Sequence, residues 1–233
     1  MFDGNFRTAV DKVTTPVGEK LNNIGVSPDI ITGVGVAMAA ACGVAIARGN
    51  FPLAVVLLAL TGVPDALDGA VAKAAGSSGP RGAYLDSVSD RLSDALLFAG
   101  AAWYLGGTDS PRLAMLPFAI YIAASLVSYQ RAKAESLGFD AKGGIMERAE
   151  RFIALGVGLI FSSIFVGVLW LMLVLTIVTA LTRFVKVWRQ ATAVQPPKTE
   201  KEAGENRRAR SRRREPRSGT DWRERTRRRS GQR

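Results

Sequence analysis

The chain has 233 residues and a net charge of +11, from 31 lysines and arginines against 20 acidic residues, and it contains no histidine. A single cysteine, Cys42, excludes a disulfide framework and a cysteine-based structural zinc site, and the lack of histidine excludes Ser-His-Asp catalysis and histidine-bound metals. Any catalysis must therefore rest on carboxylates, hydroxyls, lysine and arginine.

Charge and apolar residues are divided unequally along the chain. Segment 191–233 carries 15 basic and six acidic residues, with only six apolar ones. The remaining body, 1–190, is about 56% apolar, which is high for a soluble domain. We therefore predict a membrane domain over 1–190 and a disordered, arginine-rich cytoplasmic tail over 191–233.

The first twenty residues carry apolar side chains at helical spacing, with charged residues between them. This pattern predicts an amphipathic helix lying on the membrane surface beside the first span, and we expect no cleaved signal peptide. The apolar positions are Phe2, Phe6, Val10, Val13 and Val17.

Six apolar stretches follow, each close to the ~20 residues that a helix needs to cross a bilayer. Gly, Ser, Pro and Asn separate them, and charges interrupt the second, third and fourth, so hydropathy alone is expected to miss the second or the third. The sequence predicts an all-α integral membrane protein with six transmembrane helices near 29–48, 52–75, 83–106, 113–137, 148–166 and 168–187.

The distribution of basic residues between the connecting segments predicts the orientation. The segments on one side of the membrane hold most of the lysines and arginines, whereas the turns on the other side hold only Arg48 and Arg112. By the positive-inside rule, both termini face the cytoplasm of a multi-pass plasma-membrane protein.

The tail allows three interpretations. Its thirteen arginines should be attracted to anionic lipid headgroups, at roughly 1 kcal/mol for each basic residue near the surface. A role in topology alone, or RNA binding, are the alternatives, and nucleic acid is the least favoured.

Two pairs of aspartates lie at helical spacing in the second and third stretches. Asp65 and Asp68 are three residues apart, and Asp86 and Asp90 are four apart, so each pair shares one face of its helix. Four carboxylates that converge require cations, and two divalent ions with oxygen ligands would satisfy them. The alternatives are helix capping or pairing with arginine, or a transporter whose intramembrane aspartates bind a moving cation.

These residues resemble a signature at fixed spacing. The pattern Asp-x2-Asp-Gly-x2-Ala-basic-x8-Gly-x3-Asp-x3-Asp is similar to that of the CDP-alcohol phosphatidyltransferases, membrane enzymes with six spans. It is met by Asp65, Asp68, Gly69, Ala72, Lys73, Gly82, Asp86 and Asp90. Lys73 departs from the arginine usual in that family, which keeps the charge but loses the bidentate fork.

Further segments resemble the actinobacterial phosphatidylinositol phosphate synthases within this family. They are 26–32, 128–135 and 143–151. The resemblance implies transfer of the phosphatidyl group of CDP-diacylglycerol to inositol phosphate, with Mg²⁺ or Mn²⁺ and in a homodimer. Glycerol 3-phosphate, the acceptor of a phosphatidylglycerophosphate synthase, is the main rival because it is also an anionic alcohol.

The resemblance also assigns the site residues. It implies metal binding by Asp65, Asp68, Asp86 and Asp90, with Asp90 as proton acceptor. Binding of CDP-diacylglycerol is assigned to Asp29, Ile30, Ile31, Thr32, Gly69, Ala72, Lys73, Gly79 and Gly82. Binding of inositol phosphate is assigned to Arg131, Lys133, Arg151 and Arg183, although the positive-inside rule alone would also explain these cations. Asp94 lies one turn beyond the motif, and we expect it to matter far less.

Overall fold

A computed structural model describes residues 20, 27–74 and 79–193, with the side chains of 63–74 left out. These residues form helices and no strands. Two short 3₁₀ turns, Pro111–Ala114 and Ser162–Ile164, precede the fourth and sixth helices. The helices are α1 (Pro28–Ala47), α2 (Phe51–Ala74), α3 (Pro80–Gly106), α4 (Met115–Ser136), α5 (Arg148–Ile160) and α6 (Phe165–Ala193).

Proline and glycine mark where the helices start and stop. Pro28 and Pro80 occupy the first positions of α1 and α3, where the missing backbone N–H costs nothing. Gly49 in the α1–α2 turn has a φ of 70°, and Gly143 in the loop before α5 has a φ of 91°. These left-handed conformations favour glycine, which explains why the turns lie at the predicted breaks.

Three segments are long and apolar enough to cross a membrane, namely Pro28–Ala47, Pro111–Ser136 and Ser162–Ala193. In α2, the shorter stretch Phe51–Gly62 is apolar. The all-helical class is confirmed, and six helices lie close to the six predicted intervals. That all six cross the membrane stays a prediction.

The fifth interval differs most from its prediction of 148–166. Helix α5 ends at Ile160, because Phe161 leaves the helical region with φ −107° and ψ 74°, and a 3₁₀ turn follows. Thirteen residues make a helix about 20 Å long, shorter than the ~30 Å hydrocarbon layer. The polar pair Ser162-Ser163 was the sequence signal for this break.

Two glycines let α1 and α3 approach closely. A Cβ at Gly43 would lie 2.5 Å from the Leu96 carbonyl oxygen, and one at Gly100 would clash with the carbonyl of Gly43. Helix contacts through small residues are the usual way in which membrane helices pack.

Three aromatic rings join α2, α3 and α6 beside the α1–α2 turn. Phe51 lies 4.9 Å from Tyr104 and 5.5 Å from Phe165 between ring centroids, and Tyr104 and Phe165 are 6.3 Å apart. These contacts hold one end of the helix bundle together. Polar residues are concentrated at the other end.

The outer face of α6 is apolar and exposed, as a lipid environment requires. Trp170, Leu171 and Leu181 are each more than half exposed. The hydroxyls of Thr176 and Thr179 are satisfied inside the helix, donating to the carbonyls one turn earlier. The helix therefore presents few unsatisfied polar groups to its surroundings.

The chain divides into two units, Met1–Gln190 and Ala191–Arg233. Of the second unit, only residues 191–193, at the end of α6, are described. The predicted tail includes these three residues, but they are helical, so α6 runs beyond the predicted start of disorder at 191. The rest of the predicted tail and the predicted amphipathic helix over the first twenty residues, Lys20 excepted, lie outside the described residues.

Candidate functional site

A polar cavity of about 830 Å³ opens among α3, α4, α5 and α6. Asp86 and Asp90 of α3 line it together with Arg131 of α4, Arg151 of α5 and Arg183 of α6. Two of the predicted metal ligands and three of the predicted phosphate-binding cations therefore share one cavity, although they come from four helices.

Asp86 and Asp90 form the acidic wall of the cavity, one helical turn apart on α3. Arg148 of α5 approaches this wall, with its Nη1 atom 2.5 Å from Asp90 Oδ1. Helix α2 carries the other two predicted ligands, Asp65 and Asp68, whose side chains lie outside the described part of the structure.

The donors on this wall fit a hard divalent cation. Carboxylate oxygens are the ligands that Mg²⁺ and Mn²⁺ take in proteins, and the two described carboxylates face the same space. Among the described side chains, no three His, Cys, Asp or Glu residues group closely enough to hold a metal alone. Asp86 and Asp90 would therefore supply part of a site that needs further ligands.

Asp94, one turn beyond the motif on α3, is buried among arginines. It is 1% exposed, and its Oδ2 lies 2.9 Å from Arg151 Nη2 and 3.6 Å from Arg91 Nη1. Its Oδ1 lies 3.9 Å from Arg148 Nε. Pairing with arginine, the alternative considered for the aspartates, therefore applies to Asp94.

Arg183 is buried at the junction of three segments. Its Nη1 donates to the Val127 carbonyl at 2.9 Å, and its Nη2 donates to the Gly143 carbonyl at 2.9 Å and to Glu147 Oε1 at 2.8 Å. Arg183 thus joins α6 to α4 and to the α4–α5 loop, besides lining the cavity.

Arg151 and Arg183 each keep one donor unused. Their Nε atoms are buried and have no hydrogen-bond partner among the described residues. An unsatisfied buried N–H costs about 1–3 kcal/mol, and the cost is larger for charged groups. Two such donors at one cavity are the arrangement that an anionic ligand would complete.

The two predicted cations on α4 differ from these. Arg131 lines the cavity and pairs with Glu135 one turn away, its Nε 3.0 Å from Oε1. Lys133 is exposed and does not line the cavity. The structure therefore brings three of the four predicted phosphate-binding residues together and leaves Lys133 apart.

The predicted nucleotide-binding residues at the start of α1 differ from one another in their contacts and in their exposure to solvent. Asp29 pairs with Arg81 of α3, with Oδ2 2.6 Å from Nη2, and Thr32 donates to the Pro28 carbonyl within its own helix. Ile30 is exposed, whereas Ile31 is buried and faces the protein. Asp29 and Ile30 are thus more accessible to a ligand than Ile31.

The glycines at the start of α3 leave open space. Gly79 precedes the helix in an extended conformation, and a Cβ at Gly82 would meet no described atom within 4 Å. Among the described residues, close helix packing does not explain why a small residue is needed at Gly82. Gly69, Ala72 and Lys73 lie in the part of α2 for which the structure describes only the backbone.

One face of α6 holds the α4–α5 loop through a series of side chains that the sequence analysis did not single out. Thr179 Oγ1 accepts from the Met146 amide at 3.1 Å. Lys186 Nζ lies 2.8 Å from Asp140 Oδ2, and Gln190 bonds the backbone of Asp140 in both directions. The hydrogen bond from Lys186 is the main reason why the pKa of the Asp140 carboxyl is lowered. With Arg183, these residues recur at spacings of four, three and four, which was the available signal.

A known protein family matches most of the chain. Residues 25–188 match the CDP-alcohol phosphatidyltransferase family model. The chain belongs to this family, and the predicted enzyme class is confirmed.

The names of individual relatives give a more specific activity than the family description does. The chain is 33% identical over 204 residues to the phosphatidylinositol phosphate synthase of Mycolicibacterium smegmatis, covering 82% of this chain and 90% of the relative. The crystal structure of the Mycobacterium tuberculosis phosphatidylinositol phosphate synthase with CDP-DAG bound superposes with a TM-score of 0.72 at 28% identity, covering 76% of this chain and 94% of that one. The same enzyme in complex with manganese and citrate gives 0.71 at 28% identity, with 75% and 88% covered.

Together, the three apolar segments and the family make the chain a membrane protein. The manganese complex of the solved relative supports dependence on a divalent metal. The residue assignments of the site stay predictions.

Proposed function

We propose that the chain transfers the phosphatidyl group of CDP-diacylglycerol to an inositol phosphate, which gives phosphatidylinositol phosphate and CMP. One observation carries the choice of a phosphorylated acceptor, and the names of the relatives favour inositol phosphate over glycerol 3-phosphate. Arg151 and Arg183 are buried at the cavity with unsatisfied N–H donors, and the same cavity contains the carboxylates of Asp86 and Asp90. A phosphorylated, water-soluble alcohol suits both walls, since its phosphate would meet arginines and its hydroxyl would face the carboxylates.

The reaction needs a nucleophile, a proton acceptor and a leaving group. An inositol hydroxyl attacks the phosphorus that bears diacylglycerol, a new P–O bond forms, and the bond to CMP breaks. Asp90 accepts the hydroxyl proton, and Arg148, which is paired with it, keeps its carboxylate in place. Bound Mg²⁺ or Mn²⁺ ions, two in number, would offset the charge that develops on the phosphate oxygens and on CMP.

The remaining residues are assigned to substrate binding and to the metal. Asp65 and Asp68 complete the metal site with Asp86 and Asp90. The cytidine diphosphate end of the lipid lies along Asp29, Ile30, Ile31, Thr32, Gly69, Ala72, Lys73, Gly79 and Gly82. Arg131 and Lys133 supplement Arg151 and Arg183 at the inositol phosphate, with Lys133 at the periphery because it lies outside the cavity wall.

The setting proposed for this reaction is the cytoplasmic face of the plasma membrane. With six spans, both termini lie on that side, and the cavity faces the same side. The protein forms a homodimer. The tail over 191–233 lies on anionic headgroups. The basic residues concentrated near the cavity support this orientation.

An acceptor panel with the purified full-length protein tests the proposal. CMP release from CDP-diacylglycerol is followed with inositol phosphate, free inositol or glycerol 3-phosphate, and Mn²⁺ or Mg²⁺ is present. We expect inositol phosphate to be preferred. Preference for glycerol 3-phosphate would make the chain a phosphatidylglycerophosphate synthase, and no CMP release with any alcohol would return the cation transporter as the better hypothesis.

A further inference from the structure

We propose that Asp94 is a positioning residue that holds Arg151 in place to bind the phosphate of the acceptor. This inference rests on the proposed function, because it assigns a role within the same site. Asp94 is absent from the signature motif and does not line the cavity, whereas its three arginine partners, Arg91, Arg148 and Arg151, all do.

Burial makes the Asp94–Arg151 pair different from the other ion pairs at the cavity. Both side chains are 2% exposed, and the 2.9 Å contact is also a hydrogen bond. The pairs of Arg131 with Glu135 and of Arg148 with Asp90 are all at least 21% exposed. Removing one partner of a buried pair leaves an uncompensated charge, which is far more disruptive than losing an exposed pair.

The carboxylate of Asp94 also explains how three guanidinium groups can lie side by side. Arg91, Arg148 and Arg151 would repel one another without an anion between them. Asp94 is shared by all three cations, and Asp90 also pairs with Arg148, so two carboxylates reduce the repulsion among three arginines. This group of side chains keeps one positive charge for a phosphate.

The other contact of Arg151 cannot replace Asp94. Arg151 Nη1 donates to the Met146 carbonyl at 3.3 Å, which is long for a hydrogen bond. Without Asp94, the Arg151 guanidinium would be drawn towards other carboxylates of the cavity, such as Asp90 or Glu150. The phosphate would then lose a pre-oriented donor, while the nucleotide end of the site would be unchanged.

The test is the kinetics of Asp94→Asn in the full-length enzyme, with Asp109→Asn as the matched control. Asp109 is exposed in the α3–α4 connection and does not line the cavity, so the same chemical change there should leave the kinetics unaltered. For Asp94→Asn, we expect the KM for inositol phosphate to rise about tenfold or more, the scale of one charge-assisted contact. The KM for CDP-diacylglycerol should stay within about twofold.

A double-mutant cycle with Arg151→Gln separates positioning from general stability. If Asp94 acts through Arg151, Asp94→Asn should add almost nothing to the KM of an enzyme that already carries Arg151→Gln. The double variant also removes both buried charges, so it provides the measurement if Asp94→Asn alone does not yield folded protein. Additive effects, or equal increases in KM for both substrates, would overturn the inference.

This outcome is distinct from failure of the proposed function. The unaltered enzyme reports on that function directly, because it either uses inositol phosphate or does not. If the unaltered enzyme uses inositol phosphate but Asp94→Asn leaves the KM for inositol phosphate unchanged, the positioning role is refuted and the proposed function is not.

Discussion

Arg148 and Asp90 lie on different helices, α5 and α3, and their side chains meet at 2.5 Å between Nη1 and Oδ1. The Arg148 guanidinium also lies over the ring of Phe152, 4.9 Å from its centroid. The ring and the carboxylate orient Arg148 from two sides. As a result, the carboxylate predicted to accept the proton is held by a residue from another helix.

The first prediction concerns the carboxylates of the motif. Replacing Asp65, Asp68, Asp86 or Asp90 by asparagine should lower CMP release at least ~100-fold, the scale observed when one electrostatic stabiliser is removed. Turnover of the purified variants in saturating metal and both substrates is the measurement. Asp109→Asn serves as the control, and near-full activity of Asp90→Asn would contradict the assignment of Asp90 as proton acceptor.

The second prediction concerns Lys73, where arginine is usual in the family. If its ammonium contacts the pyrophosphate as a point charge, Lys73→Ala should raise the KM for CDP-diacylglycerol, and Lys73→Arg should preserve or improve it. The KM for inositol phosphate should be unaffected in both variants. Two silent substitutions would mean that the lysine acts only in membrane topology.

The third prediction concerns the arginines of the phosphate pocket. Neutralising Arg151 or Arg183 should raise the KM for inositol phosphate ten- to more than a hundredfold, since a charge-assisted contact contributes roughly 1.5–3 kcal/mol. The KM for CDP-diacylglycerol should barely change. Arg183→Gln should also lower the Tm, because Arg183 holds the Val127 and Gly143 carbonyls.

Free inositol provides the check on this pocket. It lacks the phosphate, so it should be a poor acceptor for the unaltered enzyme. If free inositol reacts as well as its phosphate, the cations belong to membrane topology and the pocket is wrongly assigned.

The fourth prediction concerns the close contact of α1 with α3. Gly100→Ala should destabilise the protein by about 1–3 kcal/mol, because its Cβ would clash with the Gly43 carbonyl. Gly167→Ala in α6 is the control, since a Cβ there meets no described atom within 4 Å and alanine favours helix. Thermal unfolding in detergent measures both, and equal Tm values would show that α1 and α3 can separate without cost.

The sequence was informative where local rules apply. Turn residues such as Gly49 and Gly143 marked the limits of helices, and the four-residue spacing of Asp86 and Asp90 placed both on one wall of a cavity. The break at Phe161 was missed because the apolar run continues through it, although two serines follow.

Contacts between side chains on distant helices could not be predicted from residue spacing. Nothing in the spacing of Asp94 and Arg151, 57 residues apart, indicates that they form a buried pair. Lys133 and Arg131 look alike in the sequence, yet only Arg131 lines the cavity, because two residues along a helix turn the side chain to another face. Helix packing decides such contacts, and the sequence alone did not provide it.

The face of α6 that holds the α4–α5 loop has a consequence for how the enzyme is made. The ribosome produces the acidic wall on α3 early and α6 last, so Arg183 emerges after every other described residue that lines the cavity, and Lys186 and Gln190 follow it. Until then the loop that carries Gly143 and Glu147 lacks its anchors. A nascent chain that stops short of α6 would therefore carry the carboxylates of α3 without Arg183 and without an anchored α4–α5 loop, and the cavity would be complete only after α6 is made.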